Sequence, residues 1–274
     1  MKNIAVILAG GSGIRLKSSV PKQFMSLNGK QVYQYVVDAL YDSKLFDEII
    51  MVLNPKYADL VKNNEKISYL IKGGATRTES VANALEYYKI NQYQNIFFHD
   101  AARPFLKVED IKQYILALKT YQAAITAVPI TDALFHANRE KYKLIQTPEA
   151  FKLSYLLHKF NKEANFTAIY EHIYPAKIKF IELPHQNLKI THPSDFYLAE
   201  QLMKYQEVTK RESVVNHKNI LILGGTGGIG KALKSKLTDL GATVNALGSK
   251  DIDLSKNFKL SVVNHKWDCI IHSA

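Results

Sequence analysis

The chain has 274 residues, enough for one large core or two ordinary ones, and its 47% hydrophobic share is that of a folded protein rather than a disordered one. A net charge of +11 calls for anionic partners, but the basic residues are scattered and no nucleic-acid-binding signature occurs, which argues against nucleic acid. Cys269 is the single cysteine, which excludes an intrachain disulfide and a cysteine-rich metal site and suits a reducing cytoplasm.

The start, MKNIAVILAGG, imitates a secretion signal, but its apolar run is short and leads into a glycine loop with Arg15 and Lys17. No run approaches the ~20 apolar residues that span a bilayer, so a soluble cytoplasmic protein without a membrane partner is expected. Ile4 to Leu8 reads as a buried strand, and Val32 to Leu40 carries apolar residues at helical spacing. The alternation continues with a strand at Ile49 to Leu53, a helix at Glu79 to Tyr88 and a strand at Ile96 to Phe98. A helix at Val108 to Leu118 and a strand at Ala123 to Val128 follow. This order predicts an α/β fold with a mainly parallel sheet, whose ligands bind beyond the carboxyl ends of the strands. Phe135 to Ile145 breaks the pattern and reads as a protruding hairpin arm, two short extended runs around Asn138–Arg139–Glu140. Pro193 to Met203 reads as a closing helix capped by Ser194 or Asp195. The polar run Tyr205 to His217 then suggests a boundary: a first domain over 1–207, a linker over 208–217 and a second domain over 218–274.

Chemistry concentrates in the first loop, LAGGSGIRLKSSVPKQF, Leu8 to Phe24. Ala9, Gly10, Gly11, Ser12 and Gly13 let backbone N–H groups approach a triphosphate, and Arg15 and Lys22 add positive charge. No Gly-Lys-Ser/Thr follows at the spacing of a Walker A loop. On residues alone, the loop could also be an ordinary strand-to-helix turn, Asp100 a helix cap and Arg139 a solvated surface residue.

LAGGSGIRL followed by PKQF resembles the signature of the methylerythritol-phosphate and ribitol-phosphate cytidylyltransferases. Four later strings agree in order: GGATRTESVANAL (Gly73 to Leu85), HDAARP (His99 to Pro104), QTPEAF (Gln146 to Phe151) and LKITHPSDFYLAE (Leu188 to Glu200). The resemblance covers roughly residues 1 to 205. It implies a Rossmann-like nucleotidyltransferase that uses CTP, Mg2+ and a polyol phosphate, as a homodimer. Arg15, Lys22 and Lys189 would face the phosphates as catalytic residues. Ala9 to Gly13, Gly74, Ser80, Asp100 and Ala101 would bind CTP, with Ser80 helping to read the cytosine and Asp100 holding the metal. Arg103, Arg139 and Thr147 would meet the acceptor and its phosphate, Arg139 and Thr147 across a dimer interface.

This allocation suits the chemistry, because nucleotidyl transfer needs positioning and charge neutralisation more than covalent help. Magnesium prefers carboxylate and phosphate oxygens, and the acceptor's phosphate oxygen is already a nucleophile near neutral pH. Two departures fall on the acceptor side. The methylerythritol enzymes carry an acidic Thr-Asp-Glu-type segment, where Phe166–Thr167–Ala168–Ile169–Tyr170 stands here, with no carboxylate before Glu171. An Asp-Thr pair in the arm is Asp132–Ala133.

In the second domain, NILILGGTGGIGKAL places Gly224, Gly228, Ile229 and Gly230 between a strand and a helix at the spacing of short-chain dehydrogenases. Asp251–Ile252–Asp253–Leu254 resembles that family's adenine-side motif, and the lack of an acidic residue near Ala246 favours NADP(H) over NAD. The chain ends at Ala274, before that family's catalytic residues, so a truncated Rossmann segment without hydride chemistry is expected. A reductase behind a cytidylyltransferase resembles the bifunctional enzymes that make CDP-ribitol, so ribitol 5-phosphate is favoured as acceptor over methylerythritol phosphate.

Overall fold

The structure, a computed structural model, describes residues 2–11, 20–61, 63–88, 93–164, 166–183, 187–251 and 266–273, the side chains of 207–213 aside. Its strands in the first part of the chain are β1 (Asn3–Ala9), β2 (Ser26–Leu27), β3 (Lys30–Gln31), β4 (Glu48–Leu53) and β5 (Tyr69–Lys72). They continue with β6 (Asn95–Asp100), β7 (Ala123–Pro129), β8 (Lys143–Lys152) and β9 (Ile178–Ile181). The helices are α1 (Val32–Ser43), α2 (Arg77–Tyr88), α3 (Val108–Ala117), α4 (Leu153–Lys159) and α5 (Pro193–Val215). Contacts divide the chain into two compact units, Met1–Glu200 and Gln201–Ala274.

In the first unit seven strands form one sheet in the order β5-β4-β1-β6-β8-β7-β9. The pairs β5–β4, β4–β1, β1–β6 and β7–β9 are parallel, and β8 runs antiparallel to both β6 and β7. Successive strand residues point to opposite faces, and both faces are covered. Ala5, Ile7, Met51 and Phe97 pack with Val36, Leu40, Ile111 and Tyr114 of α1 and α3. Ile4, Val6, Ile50 and Phe98 pack with Val81, Leu85 and Tyr88 of α2 and Leu156 of α4. Each buried Val, Leu, Ile, Phe or Met side chain among them contributes about 1.5–3 kcal/mol relative to exposure.

The strands and helices expected from the apolar patterns all form, while two elements differ. The arm is not a pair of short strands: β7 and β8 are the hairpin's strands, and 130–142 connects them with one bridge, Leu134 to Ala137. Asn138 accepts a hydrogen bond from Glu140 N and so starts a 3-10 turn, Arg139–Lys141, in place of an extended run. The polar run expected as a linker is helical as far as Val215, since nothing between Pro193 and His217 breaks a helix. That helix ends where His217 turns to a left-handed φ of 60°. Asp195 does serve its start, as the third helical residue reaching back to accept from Thr191 N and His192 N.

The second unit begins a parallel three-stranded sheet in the order β11-β10-β12, made of β10 (Asn219–Leu223), β11 (Thr243–Leu247) and β12 (Cys269–His272). Helix α6 (Gly228–Asp239) crosses from β10 to β11. Gly224 takes a φ of 78°, and a Cβ on Gly230 would strike the Gly224 carbonyl, so helix and turn approach closely only with glycine at 230. Among the described residues no helix is long and apolar enough to cross a membrane.

Candidate active site

The carboxyl ends of the parallel strands open on a cleft of about 380 Å³. Register places Leu8 of β1 beside Asp100 of β6, so the glycine loop and the carboxylate rise together. Ala9, Gly10 and Gly11 line the cleft with Lys22, Gly74, Ser80, Asp100, Ala101 and Lys189. These are residues expected from the sequence at widely separated positions. Ser12, Gly13 and Arg15 lie outside the described residues, as does Asp253 of the second unit.

Asp100 is the centre of charge. Its Oδ1 is 2.7 Å from Arg77 Nη1, and its Oδ2 is 2.8 Å from Lys189 Nζ and 3.5 Å from Arg103 Nε. Burial alone would raise its carboxyl, but Arg77, Lys189 and Arg103 overcome that and hold it well below the usual carboxylate range. Beside it, burial pushes His99 down to about 4, so the imidazole is neutral, a packed residue whose Nε2 donates to the Arg103 carbonyl.

Two residues expected to touch the acceptor sit against Asp100. Arg103 does not line the cleft; it is buried behind the carboxylate and donates to the Asn187 carbonyl at 2.7 Å. Thr147, 3% exposed, accepts a hydrogen bond from Asp100 N at 3.1 Å. The reason is a bulge: β7 pairs Ile125 with Glu149 but Thr126 with Gln146, leaving Thr147 and Pro148 as extra residues. Arg139 is not brought to this cleft either. It donates to the Thr131 carbonyl within the arm and lines a separate hollow there. Ser80 lines the cleft, yet its hydroxyl already accepts from Gly74 N and donates to the Thr76 carbonyl, fastening the 73–76 turn.

Sequence reasoning passed over Arg77, Gln23 and Glu149, although each stands inside a quoted motif. Gln23 donates from Nε2 to the carbonyls of Ala9 at 2.6 Å and Gly11 at 3.1 Å, which pins the glycine loop. Arg77 bridges Asp100 and Glu149, whose Oε1 is 3.6 Å from Nη2. Burial would lower the Arg77 guanidinium, but the two carboxylates carry it above its ordinary value. Among the described residues no group of three or more His, Cys, Asp or Glu side chains forms a metal cluster. The single carboxylate in the cleft fits a magnesium ion that takes most of its ligands from water and nucleotide phosphates. Both its oxygens are ion-paired, Oδ1 with Arg77 and Oδ2 with Lys189 and Arg103, so a metal there would compete with these cations, of which Lys189 is the most exposed.

A glycine loop, converging cations and one carboxylate beyond a parallel sheet make this a nucleotidyltransferase site. The chain belongs to the 2-C-methyl-D-erythritol 4-phosphate cytidylyltransferase family, whose model matches residues 3–205, and it is by class a CTP-dependent cytidylyltransferase. A family member from Thermotoga neapolitana is 33% identical over 218 residues, which span 75% of this chain and 98% of that one. The "bifunctional ribulose 5-phosphate reductase/CDP-ribitol pyrophosphorylase" of Haemophilus influenzae is 26% identical over 315 aligned positions, spanning 100% of this chain and 66% of that one. The crystal structure of the 4-diphosphocytidyl-2C-methyl-D-erythritol synthase of Anaerococcus prevotii superposes with a TM-score of 0.63 at 26% identity, covering 74% of this chain and 98% of that one.

Proposed function

We propose that this cytidylyltransferase uses D-ribitol 5-phosphate as acceptor and produces CDP-ribitol and pyrophosphate. The observation that carries the reading is the altered acceptor side. Ala133 replaces the threonine of the arm, and Glu171 is spent locally, accepting from Thr167 N, Thr167 Oγ1 and Ala168 N. The Haemophilus influenzae relative, which matches along the whole chain, supports it.

In the proposed step an acceptor phosphate oxygen attacks the α-phosphorus of CTP in line; the new P–O bond forms as the bond to the β-phosphate bridge breaks, and pyrophosphate leaves. Lys22, Lys189 and Arg15 neutralise the growing charge, and the amides of Gly10 and Gly11 cradle the triphosphate. Asp100 would hold magnesium, which when bound supplies Lewis-acid polarisation of the phosphates. Arg139 grips the acceptor phosphate across a homodimer interface, which the exposed arm residues Phe135, Tyr142 and Leu144 would cover. The turn at Gly224, Gly228, Ile229 and Gly230 would be a segment for NADP(H).

A second reading, 2-C-methyl-D-erythritol 4-phosphate as acceptor, is favoured by the family description and by the relatives at 33% identity. Pyrophosphate release from CTP with each polyol phosphate decides between them. Ribitol 5-phosphate is expected to give a kcat/KM at least about tenfold higher, the worth of one well-placed contact; the reverse order overturns the reading. Arg139→Ala should raise KM for the acceptor by about tenfold or more with kcat little changed, as for a lost guanidinium–phosphate contact. Steady-state kinetics with the acceptor varied measures this, and an unchanged KM removes Arg139 from the phosphate site.

A further inference from the structure

Glu149 takes no part in the transfer described above, yet it is a fully buried carboxyl next to the cleft, pushed up to about 7 by burial against the pull of Arg77 and two backbone amides, so it balances Arg77 most fully above that pH. Its three contacts lie on two segments, α2 and the turn at Ile169–His172. Oε1 is 3.6 Å from Arg77 Nη2 on α2 and accepts from Ile169 N at 3.2 Å, and Oε2 accepts from Tyr170 N at 2.9 Å. Those two amides open the 3-10 turn Ile169–His172, whose Ile169 is buried in the core. Arg77 spends its other terminal nitrogen on Asp100 and lines the cleft. One guanidinium is therefore shared between a carboxylate that faces the substrate and a carboxylate that holds a distant turn.

This sharing has a consequence in free energy. A charge left buried without its partner costs several kcal/mol. When a cation entering the cleft competes for Asp100, Arg77 must be balanced elsewhere, and Glu149 is the carboxylate in reach. A glutamine at 149 would offer one acceptor oxygen for the two amides and no charge to keep Arg77 in place. We infer that Glu149 is a positioning residue that fixes Arg77 in the cleft and couples nucleotide binding there to the Ile169–His172 turn. The further link, to acceptor selection, rests on the proposed function, because it takes the 166–171 segment as acceptor-facing.

The test is amide hydrogen exchange of segment 166–173 with and without saturating CTP and magnesium, acceptor omitted. In the wild type, CTP should slow exchange of the Ile169 and Tyr170 amides by about fivefold, a change in local opening. Arg77→Met, which removes the guanidinium but none of the atoms of the two Glu149–amide hydrogen bonds, should abolish that response at CTP concentrations that saturate the variant. Glu149→Gln should abolish it too, and should raise KM for the acceptor by about tenfold, the low end for a lost charge-assisted hydrogen bond. KM for CTP should rise as well, because Glu149 holds Arg77 in the cleft that takes the nucleotide and coupling between two sites is reciprocal. A merely structural Glu149 would lower the melting temperature and leave both KM values and the exchange response alone. A wild-type chain that binds CTP without slowing these amides, or an Arg77→Met chain that responds as the wild type does, overturns the inference and leaves the proposed activity standing. A wild-type chain that fails to bind CTP overturns both.

Discussion

Asp100→Asn is expected to lower kcat/KM by about a thousandfold, the effect of removing a central electrostatic group from a phosphoryl-transfer site. It is also expected to cost about 3 kcal/mol of stability, as when one partner of a buried ion pair is lost. Both effects come from the same geometry. Asp100 is buried, and its two oxygens face Arg77, Lys189 and Arg103. An amide cannot balance three cations, nor can it hold a divalent ion among phosphates. The stability loss falls mainly on Arg77 and Arg103, because Lys189 can turn to water. Thermal unfolding and pyrophosphate release on the same preparation separate the two effects. An Asp100→Asn chain that melts like the wild type and turns over within about tenfold would show Asp100 to be only a cap on the following turn.

What the sequence made readable was whatever depends on local pattern. Ile4 to Leu8 and Ile49 to Leu53 are continuous apolar runs because both faces of the sheet are covered, and each became a strand. The glycine loop, Lys22, Gly74, Ser80, Asp100 and Lys189 could be named because motifs mark them, and the parallel crossovers deliver them to one cleft. Partnership between side chains was out of reach. Arg103 stands in HDAARP like any phosphate-binding arginine; that it is buried against the Asn187 carbonyl depends on a contact 84 residues away. That Thr147 accepts from the Asp100 amide depends on the bulge at Thr147–Pro148, and a two-residue change of register leaves no trace in an apolar pattern. The Arg77–Glu149 pair likewise depends on where α2 and β8 end up, not on spacing. The end of α5 was misjudged for a simpler reason: Lys, Glu, Gln and Arg make a linker and an exposed helix look alike in composition.

Lys22→Ala is expected to lower kcat by a factor on the order of a hundred to a thousand, the range for loss of one preorganised charge-stabilising group. KM for the acceptor should change by less than about threefold, because the lost interaction forms mainly in the transition state. The expectation follows from how firmly the residue is placed. Pro21 sets φ at −60° just before the 3-10 turn Lys22–Phe24. Phe24 is buried with its ring 5.8 Å from that of Tyr33 and 5.7 Å from that of Tyr57, so the turn cannot drift. Gln23 ties the same turn to the carbonyls of Ala9 and Gly11, which fixes Lys22 relative to the glycine loop that would hold the triphosphate. With its backbone held in this way, Lys22 needs only side-chain motion to meet the charge that builds on the leaving pyrophosphate. Lys22→Arg should recover only part of the rate, since a planar fork does not reproduce a compact ammonium at the same distance. Single-turnover measurement with CTP saturating reads the chemical step directly. If Lys22→Ala keeps that rate while weakening CTP binding, Lys22 holds the ground-state triphosphate, and charge stabilisation at the α-phosphorus must be assigned to Lys189 and Arg15 instead.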